Sequence, residues 1–160
     1  MSRVLVAYFS ATGVTAKVAE ELAKAEGADL FEIKPATPYT KEDLDYTVKK
    51  SRSSMEMADT SCRPPIQEKL ANMPQYDLVF LGFPIWWGRE PSIVDSFIDS
   101  HCFVGKKIIP FCTSGMSDCQ KASAHIMEIA GDGVVVKPGR RLGAEASEEE
   151  IRLWTELLKK

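Results

Sequence analysis

The chain has 160 residues and a formal net charge of −3, with 44% hydrophobic and 27% charged residues. That size suits a single domain, 1–160, with a sizeable core, and the balance is that of an ordinary globular protein. Lys and Arg are scattered, the apolar run after Arg3 is too short for a signal peptide, and no stretch reaches transmembrane length. The expectation is therefore a cytoplasmic protein with no nucleic acid and no membrane as partner. Cys62, Cys102, Cys112 and Cys119 form neither a C-x-x-C pair nor a zinc spacing, so reduced thiols are the simpler expectation.

Val4–Phe9 is a continuous apolar run that reads as a strand buried on both faces. Ser10-Ala11-Thr12-Gly13-Val14-Thr15 follows it and opens a helix over Thr15–Ala25, with Val14, Val18 and Leu22 four residues apart. Leu30–Ile33 is a second strand. From Lys34 to Asp77 the connection is longer than a simple βα unit needs, and Pro35, Pro38, Pro64 and Pro65 bracket it. Within it, Leu44, Val48 and Met55 suit an amphipathic helix over Lys41–Met57, and Ile66–Met73 a shorter one. A covering helix with a solvated face at Lys49, Lys50 and Arg52 is the preferred expectation; a flap over one side of a ligand is the other. Leu78–Gly82, Ile108–Cys112 and Val134–Val136 are further strands. Helices are expected over Ile93–Ser100, Ser117–Ala130 and Glu148–Leu158, the last with Ser147 as N-cap. The alternation predicts a doubly wound α/β domain.

A strand that turns through small residues into a helix start leaves backbone N–H groups free, where the helix dipole favours negative charge. Ser10, Thr12 and Thr15 add hydroxyl donors, so this stretch reads as a phosphate cradle built from neutral donors. It lacks the Gly-Lys-Ser/Thr ending of a triphosphate loop and the glycines of a dinucleotide fingerprint. An ordinary helix capped by Ser10 or Thr12 is the alternative. Ligands of open α/β sheets sit beyond the carboxyl ends of the strands. The later strands lead there into Pro84-Ile85-Trp86-Trp87-Gly88-Arg89 and Thr113-Ser114-Gly115. Adjacent tryptophans on a tight turn suit something flat, although one of the pair can pack in the core. Cradle, aromatic wall and hydroxyl rim together suit a planar, polar-edged ring carrying a phosphate.

These residues resemble the flavodoxin family. Tyr8-Phe9-Ser10-Ala11-Thr12-Gly13-Val14-Thr15 is similar to its phosphate loop. Pro84-Ile85-Trp86-Trp87-Gly88 and Thr113-Ser114-Gly115 are similar to the ring loops of a bacterial flavodoxin-like subfamily. The resemblance covers nearly the whole chain. It implies a five-stranded parallel sheet of order 2-1-3-4-5 and one non-covalent FMN. Ser10, Ala11, Thr12, Gly13, Val14 and Thr15 would hold the phosphate. Pro84, Ile85, Trp86, Trp87 and Gly88 would wrap the ring, and Thr113, Ser114 and Gly115 would meet its pyrimidine side. Val14 departs from the family's usual Asn, and −3 is less acidic than usual for its electron carriers.

The implied function is low-potential electron transfer between a flavodoxin reductase and an acceptor enzyme, by a monomer or weak dimer, with no catalytic amino acid and no metal. The alternative is a small FMN-dependent NAD(P)H/quinone oxidoreductase. A phosphoacceptor receiver is disfavoured because Tyr8-Phe9-Ser10 stands where acidic residues belong. Arg89 either lies near the ring or pairs with Glu90 or Asp95. Gly88 either permits a peptide flip toward the flavin N5 or only shapes the turn. Cys112 and Cys119 read as buried, inert thiols, with a redox pair as the other option.

Overall fold

The structure is a computed structural model and describes residues 3–114, 118–143 and 146–159. In chain order the elements are β1 (Val4–Tyr8), α1 (Val14–Glu26), β2 (Asp29–Glu32), α2 (Arg52–Ala58), β3 (Leu78–Pro84) and α3 (Ser92–Asp99). β4 (Lys107–Thr113), α4 (Gln120–Ala130), β5 (Val135–Val136), β6 (Arg140–Arg141) and α5 (Glu148–Lys159) complete it. All strands pair in parallel, in the order β2-β1-β3-β4-β5, with β6 also against β4. This is the flavodoxin-like order, with one difference: the fifth position holds two short strands. Lys137-Pro138-Gly139 separates them, since Pro138 has no N–H for the ladder.

Alternate residues of each central strand enter different cores, as the two-residue repeat of a strand requires. Leu5, Ala7, Val79, Leu81, Phe83 and Ile108 pack with Ile93, Phe97, Ala122 and Ile126 of α3 and α4. Val6, Tyr8, Phe80, Ile109 and Phe111 pack with Val18, Leu22, Ile151 and Trp154 of α1 and α5. Helix α1 buries Thr15, Val18, Ala19, Leu22 and Ala23, one stripe of a 3.6-residue period. It ends at Gly27, whose left-handed backbone (φ 61°) lets the Ala28 N–H reach the Ala23 carbonyl at 2.9 Å. Helix α5 starts where expected, the Ser147 hydroxyl accepting from the Glu150 N–H at 3.1 Å.

The 34–77 excursion departs from expectation. The helix expected over Lys41–Met57 is present only as α2, and residues 41–50 are turns. Thr40 and Asp43 cap each other's backbone, and the Thr47 N–H donates to Asp45 Oδ1 at 3.0 Å. Such local bonds compete with helix propagation. The helix expected over Ile66–Met73 is absent. Ile66 forms an antiparallel bridge with Pro35, the Gln67 N–H reaching the Lys34 carbonyl at 2.7 Å, and only a 3-10 turn at Met73–Gln75 remains. Among the described residues no helix is long and apolar enough to cross a membrane.

Candidate functional site

Strand register brings the three loops to one rim. Tyr8, at the end of β1, lies beside Gly82 of β3, and the Phe9 N–H continues the ladder to the Gly82 carbonyl at 3.0 Å. Gly82 lies beside Phe111 of β4, and Pro84 beside Thr113. The loops after β1, β3 and β4 therefore leave the same edge of the sheet. Thr15 Oγ1 and Thr113 Oγ1, both buried, hydrogen-bond at 2.7 Å across 98 residues and join the first loop to the third.

In the first loop, the Gly13 N–H donates to Ser10 Oγ at 3.0 Å, and Gly13 itself is the N-cap, with φ 94°. Neither Ser10 nor Thr12 caps the helix. The N–H groups of Val14, Thr15 and Ala16 have no carbonyl behind them in α1. Thr12, Gly13 and Val14 are exposed, and the first turn carries no acidic side chain. The Thr15 hydroxyl is turned inward, so what it offers a ligand is its backbone N–H.

The second loop is a two-residue hairpin. Trp86 and Arg89 exchange both backbone hydrogen bonds, at 2.9 and 3.1 Å, around Trp87 and Gly88. Both central residues have positive φ, 50° and 81°, which makes a type I′ turn. Flipping the Trp87–Gly88 peptide would give type II′, whose first central position belongs to glycine. Trp87 stands there, so the turn resists the flip. The two indoles diverge. Trp86 packs edge-on against Phe9 and Tyr39, with centroids 5.6 and 5.5 Å apart. Trp87 is 51% exposed, held out at the tip by a left-handed backbone rare for a bulky residue. Thr113 and Ser114 start the third loop; Gly115 lies outside the described residues.

Arg89 points away from this rim. Its guanidinium lies 3.4 Å from Asp95 Oδ2 and donates to the carbonyls of Glu90 (3.1 Å) and Met57 (3.4 Å). Glu90 and Asp95 are fully buried, and His125 Nδ1 contacts Glu90 Oε1. Burial first, then the neighbouring Glu90 charge, pushes the Asp95 carboxyl up to about 8, and burial also raises Glu90. Glu90 Oε2 and Asp95 Oδ1 are buried without a hydrogen-bond partner among the described residues. Arg89, at 3.4 Å, and Arg63, at 3.9 Å, are the guanidinium partners of Asp95 Oδ2.

Some neighbours of the rim carry no signal in the sequence. Lys121 of α4 reaches the turn: a Cβ placed on Gly88 would lie 3.6 Å from its Cδ and 3.9 Å from its Nζ. Leu44, Tyr46 and Ser53 of the excursion face Ile85, Trp86 and Trp87 across a cavity of about 290 Å³. The excursion thus flanks the second loop. Burial and a hydrogen bond to Glu56 hold the Tyr39 hydroxyl far above its usual range. Cys112 and Cys119 are joined in a disulfide with Cα atoms 6.1 Å apart, which corrects the expectation of reduced thiols. Their seven-residue separation follows no motif; the β4-to-α4 connection brings them together.

The donor set fits a phosphate-bearing flat ring. Neutral N–H groups and exposed hydroxyl residues stand at an open helix start, with nothing within 4 Å of a Cβ placed on Gly13. A half-exposed indole shares the rim. A candidate flavoprotein from Bacteroides eggerthii is 44% identical over 100% of this chain and 99% of its own, with a TM-score of 0.93. A flavoprotein from Lactobacillus acidophilus, solved in complex with FMN, is 23% identical over 97% and 99%, with a TM-score of 0.74. Oxidised flavodoxin 2 from Bacillus cereus is 16% identical over 99% and 98%, with a TM-score of 0.54. No curated protein matches the chain. The family model described as flavodoxin matches residues 3–158, and the chain belongs to the flavodoxin family.

Proposed function

We propose that this protein is an FMN-containing electron carrier, taking electrons from a reductase and passing them to a redox enzyme. The observation that carries the reading is the single rim: the Thr15–Thr113 bond and the Pro84–Thr113 register put cradle, indole and third loop together. FMN is the cofactor that family and donor set both support, and when bound it supplies the electron chemistry. The chain's own residues bind and tune it. The N–H groups of Thr12, Gly13, Val14 and Thr15, with the hydroxyls of Ser10 and Thr12, would hold the phosphate. Pro84 through Gly88 would bound the ring, with Trp87 against its face. Thr113, Ser114 and Gly115 would meet its polar edge.

No side chain has to act as acid, base or nucleophile. Tuning comes from surroundings that disfavour an extra negative charge. A shift of 100 mV in a one-electron couple corresponds to about 2.3 kcal/mol. One exposed carboxylate about 10 Å away contributes only ~0.4 kcal/mol. Desolvation by Pro84 and Trp87 therefore outweighs any single surface acid. Lys121 acts in the opposite sense, as the cation beside the turn; Arg89 is engaged elsewhere.

The test is purification, an absorbance spectrum and stepwise anaerobic reduction. A yellow protein reduced in one-electron steps, with little turnover of NAD(P)H alone, supports the carrier. A colourless protein that takes up no added FMN refutes it. The cavity beside Trp87 favours a second reading, a small NAD(P)H/quinone oxidoreductase. Steady quinone turnover with NAD(P)H and no added reductase would select that reading.

A further inference from the structure

The Cys112–Cys119 disulfide has no place in the binding scheme above, yet it lies directly beneath it. Cys112 is the penultimate residue of β4 and precedes Thr113, the residue bonded to Thr15 and registered with Pro84. Cys119 caps α4, whose Lys121 lies against Gly88. The bridge thus stands one residue from the point where the three loops meet.

Three observations separate it from an ordinary staple. The chain is not generally cross-linked, since Cys62 and Cys102 remain free. It also has two extensive cores, one on each face of the sheet, and so does not depend on a cross-link as minimal domains do. Finally, the pair is sealed. Cys112 is 0% and Cys119 1% exposed, the Cys112 carbonyl is bonded by the Leu142 N–H at 2.8 Å, and a Cβ on Gly139 would clash with Cys119 Cβ at 2.8 Å. Thiol exchange requires attack by an external thiolate, and burial of both cysteines disfavours attack by a partner protein's thiolate. Burial favours a source of electrons inside the protein, and the neighbouring redox group is the one held by the loop that begins at Thr113.

We propose that Cys112 and Cys119 form a second redox centre, a buried disulfide that accepts two electrons from FMN bound in the adjacent loops. This rests on the FMN reading above. The S–S bond takes up two electrons and two protons and becomes two neutral thiols. Fully reduced, anionic FMN gives both electrons and one proton and returns to its oxidised form; water gives the second proton. The protein then stores four electrons per FMN rather than two, and the dithiol can return its pair by the same route.

The test is anaerobic dithionite titration of the oxidised holoprotein to complete bleaching, followed by alkylation of thiols under denaturing conditions. FMN content is read first from absorbance, so failure to bind FMN is seen separately, before any thiol is counted. The expected result is four electrons per FMN, with alkylated thiols rising from the two of Cys62 and Cys102 to all four. The Cys112→Ser/Cys119→Ser variant should take two electrons. Apoprotein given the same reductant should keep two thiols. Two electrons per FMN with two thiols in the wild type overturns the proposal, as does apoprotein that gains four. The wild-type and apoprotein counts decide the matter even if the variant does not fold.

Discussion

Trp87 combines backbone strain with an indole in water, and the two can be separated by comparing Trp87→Ala with Trp87→Gly. The left-handed conformation at φ 50° costs a residue with a Cβ about 1–2 kcal/mol. Glycine escapes that cost but loses roughly 0.5–1 kcal/mol through its larger unfolded-state entropy. Glycine should thus be the more stable replacement by about 0.5–1 kcal/mol, the reverse of the usual order. Half the ring is exposed, so its burial contributes at most about 2.5 kcal/mol, from roughly 100 Å² at ~25 cal/mol/Å². Loss in the Gly variant is then about 1–2 kcal/mol. Trp86→Ala, which opens the cluster with Phe9 and Tyr39, should lose about 3–5 kcal/mol. FMN reads the other half of the argument. Stacking on an aromatic side chain contributes about 1–3 kcal/mol, so both Trp87 variants should bind FMN roughly 5- to 150-fold more weakly. Urea unfolding of the apoprotein gives the stabilities, and quenching of FMN fluorescence gives Kd. Alanine more stable than glycine would refute the left-handed turn, and a Kd within about twofold of wild type would refute stacking on Trp87.

The Asp95 carboxyl, raised by burial to about 8, holds a proton in the folded state that the unfolded chain releases near pH 4. Its contribution to stability is complete below that pH and fades as pH rises, by ~1.4 kcal/mol per unit up to about 8. Urea melts should show the protein less stable at pH 7 than at pH 5, by roughly 3 kcal/mol from this group, and Asp95→Asn should shrink the difference. Thr15→Val strands the Thr113 hydroxyl and should lose about 1–3 kcal/mol, while Thr15→Val/Thr113→Val should fall close to wild type; equal losses would show that the bond contributes nothing. Lys121→Gln removes a cation beside the turn and should make the bound flavin harder to reduce, by about 20 mV for ~0.5 kcal/mol. An unchanged potential would place Lys121 away from the ring.

Much of this was legible because physics wrote it locally. β1, β3 and β4 are buried on both faces, so each appears as an unbroken apolar run, and the loops that follow inherit their places from parallel order. The excursion was not legible. Leu44, Val48 and Met55 have helical spacing, but Thr40, Asp43, Asp45 and Thr47 bond their own backbone and break the segment into turns. Helix resumes only where the Ser51 hydroxyl caps it, accepting from the Ser54 N–H at 3.3 Å. Ile66 follows two prolines and pairs with Pro35 in extended form, a long-range contact that no local pattern encodes. The same limit hid the Thr15–Thr113 bond and Lys121 at Gly88, and left the pairing of Cys112 with Cys119 as only one of two options. Each joins residues from different elements, and only the assembled sheet edge brings them together.

The central claim concerns where the phosphate and the ring lie, and a crystal structure of the protein with FMN tests it most directly. The phosphate should sit at the start of α1 within hydrogen-bond reach of the Gly13 and Val14 N–H groups, with the ring against Trp87 and its polar edge toward Thr113. A phosphate elsewhere, or a ring in the cavity between Leu44 and Ser53 with the start of α1 empty, would contradict the account.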